Sequence, residues 1–138
     1  MNKDEIMKIL PHRDNMLLLD EVENKDGNAV GHYTVRGDEF FLNGHFPGNP
    51  IVPGVILCEI LAQSACVLLQ DAMDEGKLPV YTGLNNVKFR SPVKPGDTME
   101  TRCHIKRAKH PFYFAEGTVT VEGRLCVSAE FSFCITGA

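Results

Sequence analysis

Apolar and polar residues alternate along much of this chain with the two-residue period of β-strands. Residues 30–35 alternate clearly. The short apolar run at residues 16–22 is interpreted as a strand before them, with Asp26-Gly27 as the hairpin turn. Four more strands are predicted in the second half of the chain, where prolines and glycines supply the turns. They cover residues 80–89, 98–106, 112–121 and 125–135.

One segment departs from this period: residues 55–69 are apolar on nearly every side and predict a long buried helix. Pro53 stands where a helix begins, because a proline lacks the N–H that would be unpaired there. The polar residues 71–77 end this helix near Gly76, and residues 4–10 predict a short first helix closed by Pro11.

The order of elements predicts an α+β fold, with residues 1–138 as a single domain. In this fold a curved antiparallel sheet wraps one long central helix. A helix that is apolar all round also needs a second cover besides the sheet. A second copy of the chain can provide that cover, so the pattern favours a dimer.

Charge, apolar runs and cysteine content argue against a nucleic-acid-binding, secreted or membrane-spanning protein. The net charge of −4 argues against nucleic acid as the main partner. The first residues lack the pattern of a signal peptide, and no run reaches the roughly 18 apolar residues of a membrane span. The five cysteines form no CxxC motif and are odd in number. We interpret them as reduced, mostly buried thiols of a cytoplasmic protein.

The candidate chemistry lies in residues 40–63, which join a stiff loop to the apolar helix. His45 stands in that loop, close to Pro47, Pro50 and Pro53, each of which fixes a backbone angle. Rigid placement suits a catalytic base, so His45 is the candidate base. The alternative interpretation is a structural histidine in a loop.

Glu59 is the carboxyl group of the apolar helix, with Gln63 four residues later on the same face. Apolar neighbours remove hydration, which is expected to raise the pKa of Glu59 and to suit it to donating a proton. The alternative is a glutamate at the helix edge that reaches solvent or an arginine. The free N–H groups of Gly54 and Val55 at the helix start can bind the partial negative charge of a carbonyl oxygen.

Four blocks of residues give the chain a family resemblance. They are Leu10-Pro11-His12-Arg13, Gly44-His45-Phe46-Pro47-Gly48-x-Pro50-Ile51-x-Pro53-Gly54-Val55, Glu59-x-x-Ala62-Gln63 and Val87-Lys88-Phe89-Arg90-x-Pro92-Val93-x-Pro95-Gly96-Asp97. At this spacing the chain resembles the (3R)-hydroxyacyl-[acyl-carrier-protein] dehydratases of bacterial type II fatty acid synthesis, which have the hot-dog fold. The resemblance runs over nearly the whole chain.

The resemblance implies a mechanism without metal or redox cofactor. His45 takes the proton from C2 of a 3-hydroxyacyl thioester, and Glu59 protonates or orients the departing 3-hydroxyl. Gly54 or Val55 holds the thioester carbonyl, and the expected substrate contacts also include Phe46, Pro53 and Gln63. The sequence itself offers only Cys103-His104 as a weak candidate for metal binding.

The resemblance also implies partners. The substrate is a 3-hydroxyacyl chain linked through phosphopantetheine to acyl carrier protein. Family dimers place the histidine of one subunit near the glutamate of the other, and dimers are expected to assemble to a hexamer. Residues 88–109 carry seven basic and two acidic residues, or +5, whereas the remainder totals −9. We expect Arg102, Lys106 or Lys109 to dock the acidic carrier; the alternative is a solvated strand face.

Three alternatives stay open at this point. A hot-dog thioesterase would use water as the nucleophile and usually places its carboxylate differently. A dehydratase with additional enoyl isomerase activity is the second, although the branch with that activity carries aspartate where this chain has Glu59. A non-catalytic thioester-binding module is the third. The chain departs from the family at Asp14-Asn15 and near His110-Pro111, which affects the expected substrate entrance and chain length.

Overall fold

A computed structural model describes residues 1–42, 48–70, 72–73 and 77–137 of the chain. The described residues form two α-helices and six strands. These are α1 (Lys3–Met7), β1 (Glu21–Lys25), β2 (Asn28–Thr34), α2 (Gly54–Cys66), β3 (Lys77–Phe89), β4 (Thr98–Lys109), β5 (Phe112–Val121) and β6 (Arg124–Gly137). Short 3₁₀ turns lie at Asp14–Met16, Phe40–Leu42 and Val67–Leu69.

All six strands join one antiparallel sheet in the order β1-β2-β4-β5-β6-β3. Strands β4, β5 and β6 pair with their neighbours along the chain. Strand β3 does not pair with β4, which follows it. It pairs instead with β6 at the far side, so that β1 and β3 form the two edges of the sheet that the described residues build.

Helix α2 packs across this sheet and supplies the centre of the core. Its residues Leu57, Ile60, Leu61 and Ala65 are each at most 3% exposed. Helix and sheet approach closely at Gly31 of β2, where an added Cβ would lie 3.1 Å from Ser64 Oγ of α2 and 2.8 Å from Thr101 Oγ1 of β4. The α+β prediction of one central helix on an antiparallel sheet is confirmed.

A polar pair in the interface between α2 and the sheet is satisfied. Ser64 of α2 is fully buried, and its Oγ lies 2.7 Å from Thr101 Oγ1 of β4. The same Thr101 oxygen accepts the backbone N–H of Gly31 at 3.0 Å. The missing side chain at Gly31 is therefore what allows a hydroxyl pair to join helix and sheet without a buried unpaired donor.

The strand predicted at residues 16–22 is wrong for most of its length. Leu17, Leu18 and Leu19 are buried, at 4%, 1% and 0% exposed, but they belong to no strand, and β1 begins at Glu21. The N–H of Leu18 donates to a side chain, Gln63 Oε1, at 2.9 Å. A short apolar run indicates that its side chains are buried, but it does not by itself indicate the backbone conformation. The strand prediction failed for this reason.

Other boundaries move by a few residues. Helix α1 is shorter than predicted and starts with a capping box between Asn2 and Glu5. Pro53 is the N-cap of α2, one residue before the helix proper. Strand β3 begins at Lys77 and includes Pro79, which an edge strand tolerates because the missing N–H need not serve a ladder. The predicted helix end near Gly76 lies outside the described residues.

Candidate active site

Glu59 lies on the second turn of α2, and its side chain is 25% exposed. Two donors converge on one of its oxygens. Gln63 Nε2 donates to Glu59 Oε2 at 3.0 Å, and His12 Nε2 lies 3.3 Å from the same oxygen. A carboxylate only accepts hydrogen bonds, so the His12 Nε2 that faces it carries the proton. The structure thus holds Oε2 from two sides.

Gln63 is fixed by the segment that precedes β1. Its Oε1 accepts the N–H of Leu18 at 2.9 Å, and its Nε2 also donates to the carbonyl of Met16 at 2.8 Å. The side chain is 1% exposed, and both of its N–H bonds are used inside the chain. The predicted shared face of Glu59 and Gln63 is therefore present. The expected contact of Gln63 with substrate stays a prediction.

His12 belongs to a loop whose backbone is held by hydrogen bonds from the Arg13 side chain. Arg13 Nη1 donates to the carbonyls of Leu10 and His12, both at 2.7 Å, and Nη2 donates to Met7 at 2.9 Å. Leu10 and Ile6 bury their side chains in the core on the same side. Reasoning from the sequence used His12 only as part of a family motif and missed its contact with Glu59. The signal available was its place beside Arg13 in that motif.

The electrostatics of Glu59 differ from the expectation. Burial raises the pKa of this carboxyl group, but the hydrogen bonds from His12 and Gln63 outweigh burial and hold the pKa below its usual value. The predicted upward shift is therefore wrong. The apolar neighbours of Glu59 were visible in the sequence, whereas the two donors come together only when the His12 loop packs on α2. Glu59 is a carboxylate at neutral pH in this arrangement.

A cavity of about 30 Å³ opens beside Glu59. Its polar side is formed by His12, Glu59 and Gln63, and its other side includes Cys66, Tyr81 and Phe133. The hydroxyl of Tyr81 is occupied, since it donates to the carbonyl of Cys58. Ligand pockets usually measure about 300–1,000 Å³, so the described residues of one chain do not enclose room for an acyl chain here.

The start of α2 keeps free donors. Ile56 N donates to the carbonyl of Pro53 at 3.0 Å, whereas Gly54 N and Val55 N have no hydrogen bond within the described parts of the chain. Val55 is 72% exposed. Gly54 lies against a ring, because an added Cβ would be 2.6 Å from Phe89 Cε1. These donors suit the predicted carbonyl-binding role of Gly54 and Val55, which stays a prediction together with the contact expected of Pro53.

His45 and Phe46 lie outside the described residues, which omit 43–47. The predicted roles of His45 as base and of Phe46 as a substrate contact therefore stay predictions. The structure brings Glu59 and Gln63 together with His12.

The predicted carrier-docking residues lie on β4, on a face of the sheet that also carries acids. Lys106 Nζ lies 2.8 Å from Glu130 Oε1 and 3.6 Å from Glu116 Oε2. Arg102 borders an open groove of about 550 Å³ on this face, and Lys109 is exposed. Strand pairing therefore sets acids of β5 and β6 beside the basic residues of β4, and only part of the basic charge is unpaired. Docking stays a prediction.

All five cysteines lie in the described part of the chain, and none of them forms a disulfide there. No group of three His, Cys, Asp or Glu side chains within residues 1–42, 48–70, 72–73 and 77–137 is placed to hold a metal ion. Among the helices described, none is long and apolar enough to cross a bilayer.

Similarity to known proteins identifies the family of this chain. A family model described as a FabA-like domain matches residues 10–130. The chain belongs to this family. It is 38% identical to the 3-hydroxyacyl-[acyl-carrier-protein] dehydratase FabZ of Clostridium perfringens over 137 residues, covering 98% of this chain and 99% of the relative. The enzyme of the same description from Halalkalibacterium halodurans is 40% identical over 135 residues, covering 96% of each chain.

A solved structure supports the fold. The dehydratase heterocomplex ApeI:P from Xenorhabdus doucetiae matches with a TM-score of 0.83 at 21% identity, covering 96% of this chain and 91% of the other. The predicted hot-dog fold is confirmed. The predicted enzyme class, a hydro-lyase of the dehydratase type, is confirmed by the FabZ relatives.

Proposed function

We propose that this protein dehydrates (3R)-3-hydroxyacyl-[acyl-carrier-protein] to trans-2-enoyl-[acyl-carrier-protein] in fatty acid biosynthesis, with His45 and Glu59 as the acid–base pair. The FabZ relatives support the reaction, because they match at about 40% identity along nearly the entire chain. The observation that carries the proposal is Glu59, a carboxyl group on the buried helix with one oxygen held by two donors beside a mostly apolar cavity.

The reaction moves one proton from carbon to oxygen overall. His45 takes the proton from C2, the electron pair forms the C2–C3 double bond, and the C3–O bond breaks. The departing oxygen gains a proton and leaves as water. The free N–H groups of Gly54 and Val55 stabilise the thioester oxygen while negative charge develops on it.

Because the pKa of Glu59 is lowered, we propose that this residue acts first as a carboxylate and then as a protonated carboxyl group. In the resting chain Glu59 is a carboxylate and accepts a hydrogen bond from the 3-hydroxyl, which orients the leaving group. An acyl chain in the site removes the remaining solvent from Glu59, and further burial raises its pKa toward the protonated form. Glu59 takes up a proton from solvent as the substrate enters, delivers it to the departing oxygen and becomes a carboxylate again, while His45 releases the proton from C2 to solvent after the product leaves.

We propose further that the working unit is a homodimer, which assembles to a hexamer. Strand β3 is an edge of the described sheet and exposes Leu78, Val80 and Leu84, while Val55 and Phe89 are exposed nearby. A second copy seated on this edge covers these side chains and pairs the free strand. In this dimer His45 of one copy acts with Glu59 of the other.

The carrier protein is proposed as the partner in substrate delivery. Arg102, Lys106 and Lys109 lie along β4, where unpaired positive charge can attract an acidic carrier. The cytoplasm is the proposed location, because the substrate carrier and the reduced cysteines both fit that compartment.

The decisive experiment incubates the protein with a 3-hydroxyacyl thioester and follows enoyl absorbance and free thiol together. We expect enoyl product without thiol release from the wild-type protein. Thiol release without enoyl product would replace the proposal by a thioesterase. Isomerised 3-enoyl product, detected by chromatography, would add the isomerase activity.

A mixing experiment tests the shared site. The His45→Ala and Glu59→Gln variants are inactive separately under this proposal. When the two are co-expressed, a site that combines His45 of one chain with Glu59 of the other is intact in mixed dimers, so activity returns. Activity that stays absent, with mixed dimers demonstrated by mass spectrometry, contradicts a site made across two chains.

A further inference from the structure

One ring nitrogen of His12 contacts Glu59, and the other is buried without a partner among the described residues. Its Nε2 lies 3.3 Å from Glu59 Oε2, while Nδ1 is buried and has no hydrogen bond within the described residues. A buried polar atom left unpaired costs free energy. The loop nevertheless keeps this orientation, which brings the other nitrogen to the carboxylate.

The loop is built to hold His12 in place. Arg13 donates three hydrogen bonds to carbonyls of its own segment, at Met7, Leu10 and His12. The His12 side chain is 20% exposed and lines the cavity beside Glu59. A fixed imidazole that contacts a proposed catalytic carboxyl group from outside the helix is the arrangement of a positioning group.

The contacts also distinguish the two oxygens of Glu59. His12 and Gln63 both approach Oε2, and within the described residues no hydrogen bond reaches Oε1. A carboxylate that accepts hydrogen bonds at one oxygen from donors on two sides cannot rotate freely. The oxygen that remains available to a ligand is therefore Oε1.

We propose that His12 is a positioning residue for Glu59: it donates Nε2–H to Oε2 and, with Gln63, presents Oε1 to the 3-hydroxyl of the substrate. This inference rests on the proposed function of Glu59 and deepens it. Among the described residues, the other titratable side chains that line this cavity are Tyr81 and Cys66, and both have a pKa raised mainly by burial. Tyr81 already donates its hydroxyl to the carbonyl of Cys58, so the donors on Glu59 in the described chain are His12 and Gln63.

The test compares His12→Leu with His12→Gln. Leucine removes the donor, and we expect kcat to fall roughly 10²-fold with little change in KM, because a misplaced catalytic group costs about that much. Glutamine keeps an N–H at a similar reach and should restore most of kcat. The matched control is His104→Leu, which removes a similar pair with Glu116, 2.9 Å apart, on the outer sheet face and should leave kcat unchanged.

A second readout does not depend on turnover. Carbon-detected NMR titration of the Glu59 carboxyl, assigned with Glu59→Gln, should show a higher pKa in His12→Leu than in the wild-type protein, with His12→Gln closer to wild type. A purely structural His12 predicts no change in this pKa and equal losses of kcat in both variants. If His12→Leu does not fold, His12→Ala, which also lacks the donor to Glu59, takes its place in the titration, and a Glu59 pKa equal to that of the wild-type protein overturns the proposal.

The outcomes separate this inference from the proposed function. A wild-type protein that forms no enoyl product defeats the function, while the NMR titration still reports on the contact. Normal turnover in His12→Leu, together with an inactive Glu59→Gln, overturns the inference alone. A higher kcat in His12→Leu also overturns it, because His12 would then be a group that substrate must displace.

Discussion

Two of the histidine–glutamate pairs in the described chain have nearly the same chemistry and different surroundings. His12 and Glu59 meet where a loop packs on α2, and their side chains are 20% and 25% exposed. His104 and Glu116 meet across β4 and β5 on the outer face, at 46% and 40% exposed. The outer pair is the shorter, at 2.9 Å against 3.3 Å. Distance alone therefore does not single out the pair that we propose to act in catalysis.

What differs is how each carboxylate is held. Glu59 is fixed by Gln63, which is itself tied to the backbone of Met16 and Leu18. Glu116 is shared with Lys106, whose long side chain also reaches Glu130. Ion pairs exposed to water are screened and contribute little, whereas hydrogen bonds in a covered place are strong and directional. Anchoring by Gln63 and lower exposure are therefore what distinguish Glu59 from Glu116.

The largest expected effect comes from Glu59→Gln. We expect kcat for a 3-hydroxyacyl thioester to fall by about 10²–10⁴, the usual contribution of a general acid or base. Glu116→Gln is the matched control on the outer face and should keep normal kcat. Steady-state kinetics on both variants measures the difference. Equal losses in the two variants would remove the distinction drawn between the two regions.

The next effect concerns the anchor of the inner pair. Gln63→Leu leaves the buried N–H of Leu18 and the partly buried carbonyl of Met16 without their partner. An unsatisfied buried group costs about 1–3 kcal/mol and a partly buried one costs less, so the free energy of unfolding should fall by about 2–4 kcal/mol. Urea titration measures it.

Gln70→Leu supplies the control for that substitution. Gln70 is exposed just after α2, so the same change there should leave the free energy of unfolding nearly unaltered. A Gln63→Leu variant as stable as Gln70→Leu would show that Gln63 anchors nothing.

A smaller effect is expected on the outer face, where carrier docking is predicted. Arg102→Glu and Lys109→Glu should raise KM for carrier-bound substrate by roughly tenfold at low salt and spare small thioester analogues, because steering by surface charge acts on encounter. Lys106→Glu should act less, since Glu116 and Glu130 already pair with Lys106.

The control for docking lies outside the basic segment. Lys25→Glu, at the end of β1, changes the net charge by the same amount and should leave both KM values close to wild type. Equal increases of KM for the carrier-bound and the small substrate would contradict docking on β4.

The smallest expected effect is in the pH dependence of stability. The folded pKa of Glu59 lies below its unfolded value, so its contribution is present above about pH 4.3 and is lost as pH falls through the folded pKa. Glu59→Gln should therefore flatten the acid decline in the free energy of unfolding below about pH 5. Urea titrations at a series of acid pH values measure this slope.

Glu39 serves as an independent reference for that slope. Burial raises its pKa, but the N–H groups of Arg36 and Gly37 and the Tyr33 hydroxyl together lower it below its usual value. Glu39→Gln should therefore flatten the acid slope as well. A slope changed by Glu39→Gln and unchanged by Glu59→Gln would show that Glu59 is not held ionised.

Much of the fold was predictable because its signals are local. The alternation of residues 112–121 gave β5 with its observed bounds, and the apolar run after Pro53 gave α2 within a few residues. The leucines at 17–19 are buried, as their apolar character indicates, but they do not form the predicted strand. Their backbone is held by Gln63, which lies far away in the sequence, and such a contact produces no periodic pattern of apolar residues. The pairing of β3 with β6 was likewise not visible, since it depends on where α2 carries the chain.

The candidate site divides in the same way. The sequence by itself determined the residue types and their setting: a carboxyl group on an apolar helix, Gln63 on the same face, and motifs that identified the family. Only the tertiary structure decided that His12 donates to Glu59 and that the pKa of Glu59 falls where burial alone would raise it. The physical reason is that burial can be inferred from neighbours along the helix. Hydrogen bonds across 47 residues of chain require the packed loop.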